Sequence, residues 1–210
     1  MTFLNMYGWL FCTIAMVGDL AVSLILSMFY NGYSSAKMSI SALGNPKSPV
    51  RVPFNLWMIV EGLLFLAAIP VIYSCYNSVS GGLTIVLVVF VAAFAVGACI
   101  FTGFFSVNES KDVVTTASKI HGAGSAIGFM LFLFVPLLLA ILSFKGSETA
   151  FGVISVICFV ISLAFFVLFV MSDKPEFKNT FIQNEGLWQR LNLIFMYLPL
   201  IIISVKKLLA

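Results

Sequence analysis

The sequence predicts an all-α integral membrane bundle, six transmembrane helices joined by short loops in one domain spanning residues 1–210. Three observations carry this reading: 61% of the residues are apolar and only 9% are charged, the apolar residues fall into six runs of spanning length, and the polar residues concentrate in the links between runs. A soluble domain carries about 25% charged residues, so a chain this poor in charge cannot cover a water-facing surface of its own. About 20 apolar residues cross a hydrocarbon core of about 30 Å, so six spans consume most of the chain and leave no second domain.

The runs are 3–30, 54–77, 82–105, 120–143, 150–172 and 187–205. Membrane strands need about 9 to 11 residues of alternating polarity, and these runs are longer and uniformly apolar, so helices are expected. Only helices and closed barrels satisfy the backbone within lipid. Asn77 to Gly82 and Phe144 to Thr149 read as tight turns, which makes antiparallel hairpins of the second and third runs and of the fourth and fifth. The first, third and fifth connections are longer, lie on one membrane face, here named the mouth side, and hold most of the polar residues. Pro70, Pro136 and Pro199 are expected toward the far ends of their helices as kinks, and no span is interrupted at mid-membrane by a Gly/Pro pair in matching halves.

The mouth side collects Lys37, Lys47, Arg51, Lys111, Lys119, Lys174, Lys178 and Arg190, against Lys145, Lys206 and Lys207 on the far side. The positive-inside rule then predicts a cytoplasmic mouth with both termini outside. No basic run reads as a nucleic-acid site. Cys12, Cys75, Cys99 and Cys158 lie in or beside apolar runs without a Cys-x-x-Cys pair and read as reduced, packed thiols. The first run lacks a basic flank and a cleavage site and reads as a retained helix. Ala93 with Gly97, and Gly124 with Gly128, are small residues spaced by four that let helices approach closely, inside the bundle or between two chains.

Ionisable residues within spans are the functional candidates. Asp19 lies near the middle of the first run, where an acidic residue costs roughly 2.5 to 3.5 kcal/mol. With Ser23 and Ser27 it forms one helical face that must look into the bundle. Glu61 lies roughly 10 Å below the mouth side and Asp19 roughly 16 Å below it, at helical rise. The two carboxylates are therefore close in depth, as a packing pair or as a site. His121, Gly124, Ser125 and Gly128 share one face of the fourth run, able to admit either a ligand or another helix. Arg190, beside Gln189 and Asn192, sits at the mouth-side interface, level with Arg51 and Asn55. It suits either interfacial anchoring beside Trp57 and Trp188 or the grip of an anionic group. One histidine makes neither a bis-histidine haem site nor a three-ligand zinc set, so no metal and no cofactor are expected. No Gly-x-Ser-x-Gly elbow, P-loop or dinucleotide fingerprint occurs.

Several short motifs follow one another along the chain: Ser39-Ile40-Ser41-Ala42-Leu43-Gly44 with Phe54-Asn55, then Gly103-Phe104-Phe105 with His121, then Gly186-Leu187 with Gln189-Arg190. In this order they resemble the six-span prokaryotic membrane family catalogued as domain of unknown function 998. The family's usual proline and acidic residue after the Gly-Phe pair meet Phe105-Ser106-Val107-Asn108-Glu109 here, which lacks the proline. The resemblance implies a six-helix bundle in a bacterial or archaeal plasma membrane and implies no activity.

Three function classes stay open. The first is binding or transport of a lipid or small amphiphile in a mouth-side polar pocket built from Asp19, Glu61, His121 and Arg190, with Arg51, Asn55 and Ser125 nearby. The second is a lipid-modifying enzyme with His121 as base and a carboxylate orienting it. The third is an accessory subunit that partners another membrane protein or a second copy. Membrane lipids are the common partner in all three.

Overall fold

The computed structural model describes residues 3–108 and 114–209, which are helical with no strand among them. The first span is α1 (Phe3–Ser27) and the second is α2 (Arg51–Tyr76). The third is one rod of three pieces: α3 (Gly81–Phe94), a π-helical stretch (Ala95–Ile100) and α4 (Phe101–Phe104). The fourth is divided into α5 (Thr116–Phe132) and α6 (Val135–Lys145). The fifth is α7 (Thr149–Ser172) and the last is α8 (Glu185–Leu208). Six helical stretches are thus long and apolar enough to cross a membrane.

Local chemistry moves the helix ends away from the runs read by hydropathy. The fourth span begins upstream of the expected residue 120 because Thr115 and Ser118 form a capping box. Thr115 Oγ1 accepts from the Ser118 amide at 3.2 Å, and Ser118 Oγ accepts from the Thr115 amide at 3.0 Å. His121 consequently lies within the helix rather than at its head. The first span stops at Ser27, before the expected Tyr30. Consecutive turns follow, and Gly32 takes φ +84°, a left-handed conformation in which other residues are strained. The first connection then folds inward as a 3₁₀ turn, Ile40–Gly44.

At Pro136 the expected kink takes the form of a short turn between two helical pieces. Pro136 has no amide hydrogen to offer the Phe132 carbonyl, and the helix breaks just before it: the Phe134 amide turns back to Leu131 O at 3.1 Å, and α6 restarts at Val135. Beside this break the third span widens into its π turn. Pro70 and Pro199, by contrast, are accommodated inside continuous helices.

Successive spans pack side by side, and α1 packs against both α2 and α8, so the six helices close into a ring. The second and third spans form the expected hairpin around 77–80, and the fourth and fifth around 146–148. The third and fourth spans cross at glycines. A Cβ on Gly124 would lie 2.9 Å from Gly97 O, and one on Gly128 would lie 3.0 Å from the Ala98 amide nitrogen. The small-residue faces are thus consumed inside the bundle. The ring is not tight all round: α5 packs along the third span and α6 along α7 and α8, but α5 makes no comparable packing with α7 or α8. On the mouth-side half of the membrane, a cleft separates the fourth span from the fifth.

Deeper, Phe65, Phe94, Phe132 and Tyr197 from four spans form a buried aromatic cluster, with Phe94 and Phe132 centroids 4.5 Å apart and Phe132 and Tyr197 centroids 5.6 Å apart. Its edge-to-face and tilted contacts suit aromatic quadrupoles. The glycine crossing gives a direct test. Gly97→Val drives a side chain into the Gly124 backbone and should lower stability in detergent by about 1–3 kcal/mol, as overpacking does. Gly122→Ala, where a Cβ meets nothing within 4 Å, should leave the thermal melt unchanged.

Candidate functional site

A cavity of about 370 Å³ occupies the mouth-side half of the bundle. Its polar lining comes from six different parts of the chain: Asp19 of α1, Ser39 and Ser41 of the first connection, Glu61 of α2, Thr102 of α4, His121 and Ser125 of α5, and Glu185 and Gln189 of α8. Apolar walls come from Phe54, Met58, Phe94, Phe129, Phe166 and Phe169.

Asp19 is buried and accepts a hydrogen bond from the Tyr197 hydroxyl at 2.7 Å. That short bond ties the first span to the last. Glu61 is fully buried one residue before Gly62, where α2 presses on the π turn so closely that a Cβ would lie 2.6 Å from Ala95 O. The same approach brings the Cys99 thiol to 3.5 Å from Glu61 Oε1, to which it donates. Glu61 Oε2 makes no hydrogen bond of good geometry; the indole nitrogen of Trp57, one helical turn away and likewise without one, interacts with the carboxylate but does not close such a bond. The two carboxylates line one cavity and interact electrostatically, yet each is held by its own neighbour, Tyr197 or Cys99.

His121 is buried, with Nδ1 2.9 Å from the Phe105 carbonyl oxygen. A carbonyl only accepts, so Nδ1 carries the hydrogen, and in the neutral ring Nε2 is left as an acceptor on a residue that lines the cavity. Ser125 lies 3.4 Å from the Thr102 hydroxyl across the third and fourth spans.

Arg190 does not line the cavity. Its Nη1 donates to Ser35 O at 2.7 Å and Gly186 O at 3.0 Å, with Met38 O at 3.4 Å, and its Nη2 donates to the Tyr33 hydroxyl at 2.9 Å. The Tyr33 hydroxyl in turn donates to Ser39 O at 2.9 Å. Burial raises the Tyr33 phenol above its ordinary range, against the lowering effect of Arg190, so it stays protonated. Gln189 completes the latch, its Oε1 accepting from the Ile40 amide at 2.7 Å. The guanidinium fork thus folds the first connection across the mouth, and Gly186 admits it, since a Cβ there would strike the Met38 and Ser35 carbonyls.

The remaining candidates are peripheral. Arg51 is exposed at the start of α2 and does not line the cavity. Asn55 donates to Ser106 Oγ at 3.1 Å and braces the third connection, beside Gly103 and Gly44. Among the described residues no group of three or more metal-type ligands occurs. Glu109 and Lys111, which entered the motif and charge readings, lie outside the described residues.

Sequence reasoning passed over Tyr197 and Cys99, the two groups that hold the carboxylates. Tyr197 left a trace, as the one phenol in the final run. Cys99 left none, because a buried thiol reads as an apolar residue.

Six membrane-crossing helices arranged around a polar interior define a multi-pass membrane protein. The chain belongs to the family described as Protein of unknown function (DUF998), whose profile matches residues 13–206. No curated protein and no solved structure matches it.

The latch can be tested by accessibility. In Arg190→Ala the Ser35 and Gly186 carbonyls lose their donor, each at a cost of about 1–3 kcal/mol if left buried. A cysteine placed at Ser41 should then label faster with a maleimide than in the parent chain. Arg190→Lys should restore little, because an ammonium cannot span the carbonyls and the Tyr33 hydroxyl together. Equal labelling in all three chains would show that the first connection closes the mouth without Arg190.

Proposed function

We propose that the protein holds an amphiphile, with its polar head in the mouth-side cavity and its tail passing between α5 and α7 into the bilayer. The observation that carries this reading is the cleft. The cavity's lining includes Gly122, Ala126 and Met130 on one side and Val170 on the other, all exposed, where the fourth and fifth spans do not pack together. A closed polar cavity would suit water or an ion. One with aromatic and aliphatic walls and a lateral opening at membrane depth suits a molecule with one end of each kind. We take the membrane to be a prokaryotic plasma membrane, the setting that the family resemblance implies, with the mouth in the cytoplasm as the lysine and arginine distribution favours.

The enzyme reading draws less support. A base and its orienting carboxylate must approach to about 3.2 Å or through one water, whereas the His121 ring is oriented by a backbone carbonyl and Ser125 is engaged with Thr102. The accessory-subunit reading loses its best docking faces, because the glycine stripes are spent on the contact between the third and fourth spans.

Native mass spectrometry on protein extracted in mild detergent tests the proposal. The parent chain should retain an adduct of lipid or small-amphiphile mass, and Ala126→Trp combined with Val170→Trp, which fills the cleft from both sides, should lose it while melting at a similar temperature. Identical adducts in a folded double variant would place any bound lipid outside the cavity and refute the reading.

A further inference from the structure

The polar lining of the cavity is unbalanced. It offers the carboxylates of Asp19, Glu61 and Glu185 and the Nε2 acceptor of a neutral His121, with the Gln189 amide and hydroxyls that can act either way. No lysine or arginine lines it, and the nearby Arg190 spends its fork on three carbonyls and a phenol. Asp19, Glu61 Oε1 and Gln189 Oε1 meet only neutral donors, the Tyr197 hydroxyl, the Cys99 thiol and the Ile40 amide, and Glu61 Oε2 is buried with no hydrogen bond of good geometry. A buried acceptor left unmatched is costly, and a buried negative charge more so, unless a donor or a positive charge arrives.

An anionic head would bring further negative charge into the same low-dielectric hollow and present still more acceptors. A primary ammonium does the reverse, bringing one positive charge and three donors to a lining with carboxylates and no lysine or arginine. The aromatic walls add to this preference, since Phe54, Phe94 and Phe129 offer ring faces that attract cations. The volume of about 370 Å³ is near the lower end of the usual range of roughly 300–1,000 Å³ for small-molecule sites. It has room for a head and the first part of a chain, not for a whole two-chain lipid, and the cleft between α5 and α7 accommodates the rest.

We propose that the cavity selects amphiphiles with a primary ammonium head on an alkyl tail, recognised by Glu61 and Asp19 at its deep end and admitted sideways between the fourth and fifth spans. The head chemistry is shared by free alkylamines and by aminolipids. This inference rests on the amphiphile reading above and adds the charge of the head.

The test uses the full chain in a neutral maltoside detergent, titrated with dodecylammonium, dodecyl sulfate or dodecanol, and followed by thermal melting and by quenching of intrinsic tryptophan fluorescence. Dodecylammonium should raise the melting temperature saturably and the other two should not. Glu61→Gln, which keeps the shape and removes the charge, should weaken dodecylammonium binding by about tenfold or more, the worth of one hydrogen bond to a charged group. Should that variant fail to fold, Asp19→Asn supplies the same comparison, and Ala126→Trp should block binding with both carboxylates intact. A dodecylaminolipid carrying a phosphate, run as a fourth arm, separates the sources. Binding of it equal to dodecylammonium supports an aminolipid, and binding of dodecylammonium alone supports a free amine.

Equal stabilisation by all three single-chain probes, abolished by Ala126→Trp, would overturn the ammonium preference and leave the amphiphile reading standing. No saturable binding by any probe, together with no retained adduct, would overturn both. Dodecylammonium binding unchanged in Glu61→Gln and Asp19→Asn would also overturn the inference, because the carboxylates would then not be the recognition groups.

Discussion

A carboxylate placed among hydrocarbon chains must be met by a hydrogen-bond donor, and the donor that meets Asp19 lies at the other end of the sequence. The 2.7 Å bond from the Tyr197 hydroxyl joins the first span to the last and so closes the ring of helices. Every other feature of the interior depends on that closure. It sets α1 and α8 side by side, brings Gln189 and Arg190 under the first connection, and turns the mouth-side half of the bundle into a lined hollow. The aromatic cluster beneath, in which the Tyr197 ring meets Phe65, Phe94 and Phe132, makes the phenol part of the core as well as a donor. One residue therefore serves both the apolar packing of four spans and the satisfaction of the one acid in α1.

Two irregularities in neighbouring spans complement that closure. The π turn in the third span lets the chain present Cys99 to Glu61 while Gly62 of α2 presses against it. The break before Pro136 separates the fourth span into a half that packs on the third span and a half that packs on the fifth. Interrupted helices in a membrane leave backbone groups to be satisfied by neighbours and are tolerated where protein or a cavity surrounds them. Both irregularities here lie in spans that line the hollow.

The architecture was legible from hydropathy because lipid imposes one simple requirement, length of apolar chain, and six runs met it. The ends were less legible, since the capping box at Thr115 and Ser118 and the left-handed Gly32 depend on local hydrogen bonding that a hydropathy window averages away. Asp19, Glu61 and His121 stood out because charge in an apolar run is conspicuous, and they share one cavity. Arg190 stood out for the same reason but serves the first connection, a distinction that needs the path of residues 33–41 and not the identity of residue 190. Pro136 lies about two-thirds of the way along the fourth span, as its place in the apolar run implied, but hydropathy does not show that the helix opens into a turn just before it. The cleft was invisible, because it arises from which helices fail to touch.

That failure to touch divides the labour among residues. The side chains that hold the ring together face inward at the glycine crossings and the aromatic cluster, whereas those flanking the cleft, such as Ala126, Met130 and Val170, are exposed. Substitutions there can reshape the opening and leave the scaffold's stability largely intact. The opening can therefore change shape by drift at a handful of exposed positions, with no need to rebuild the frame.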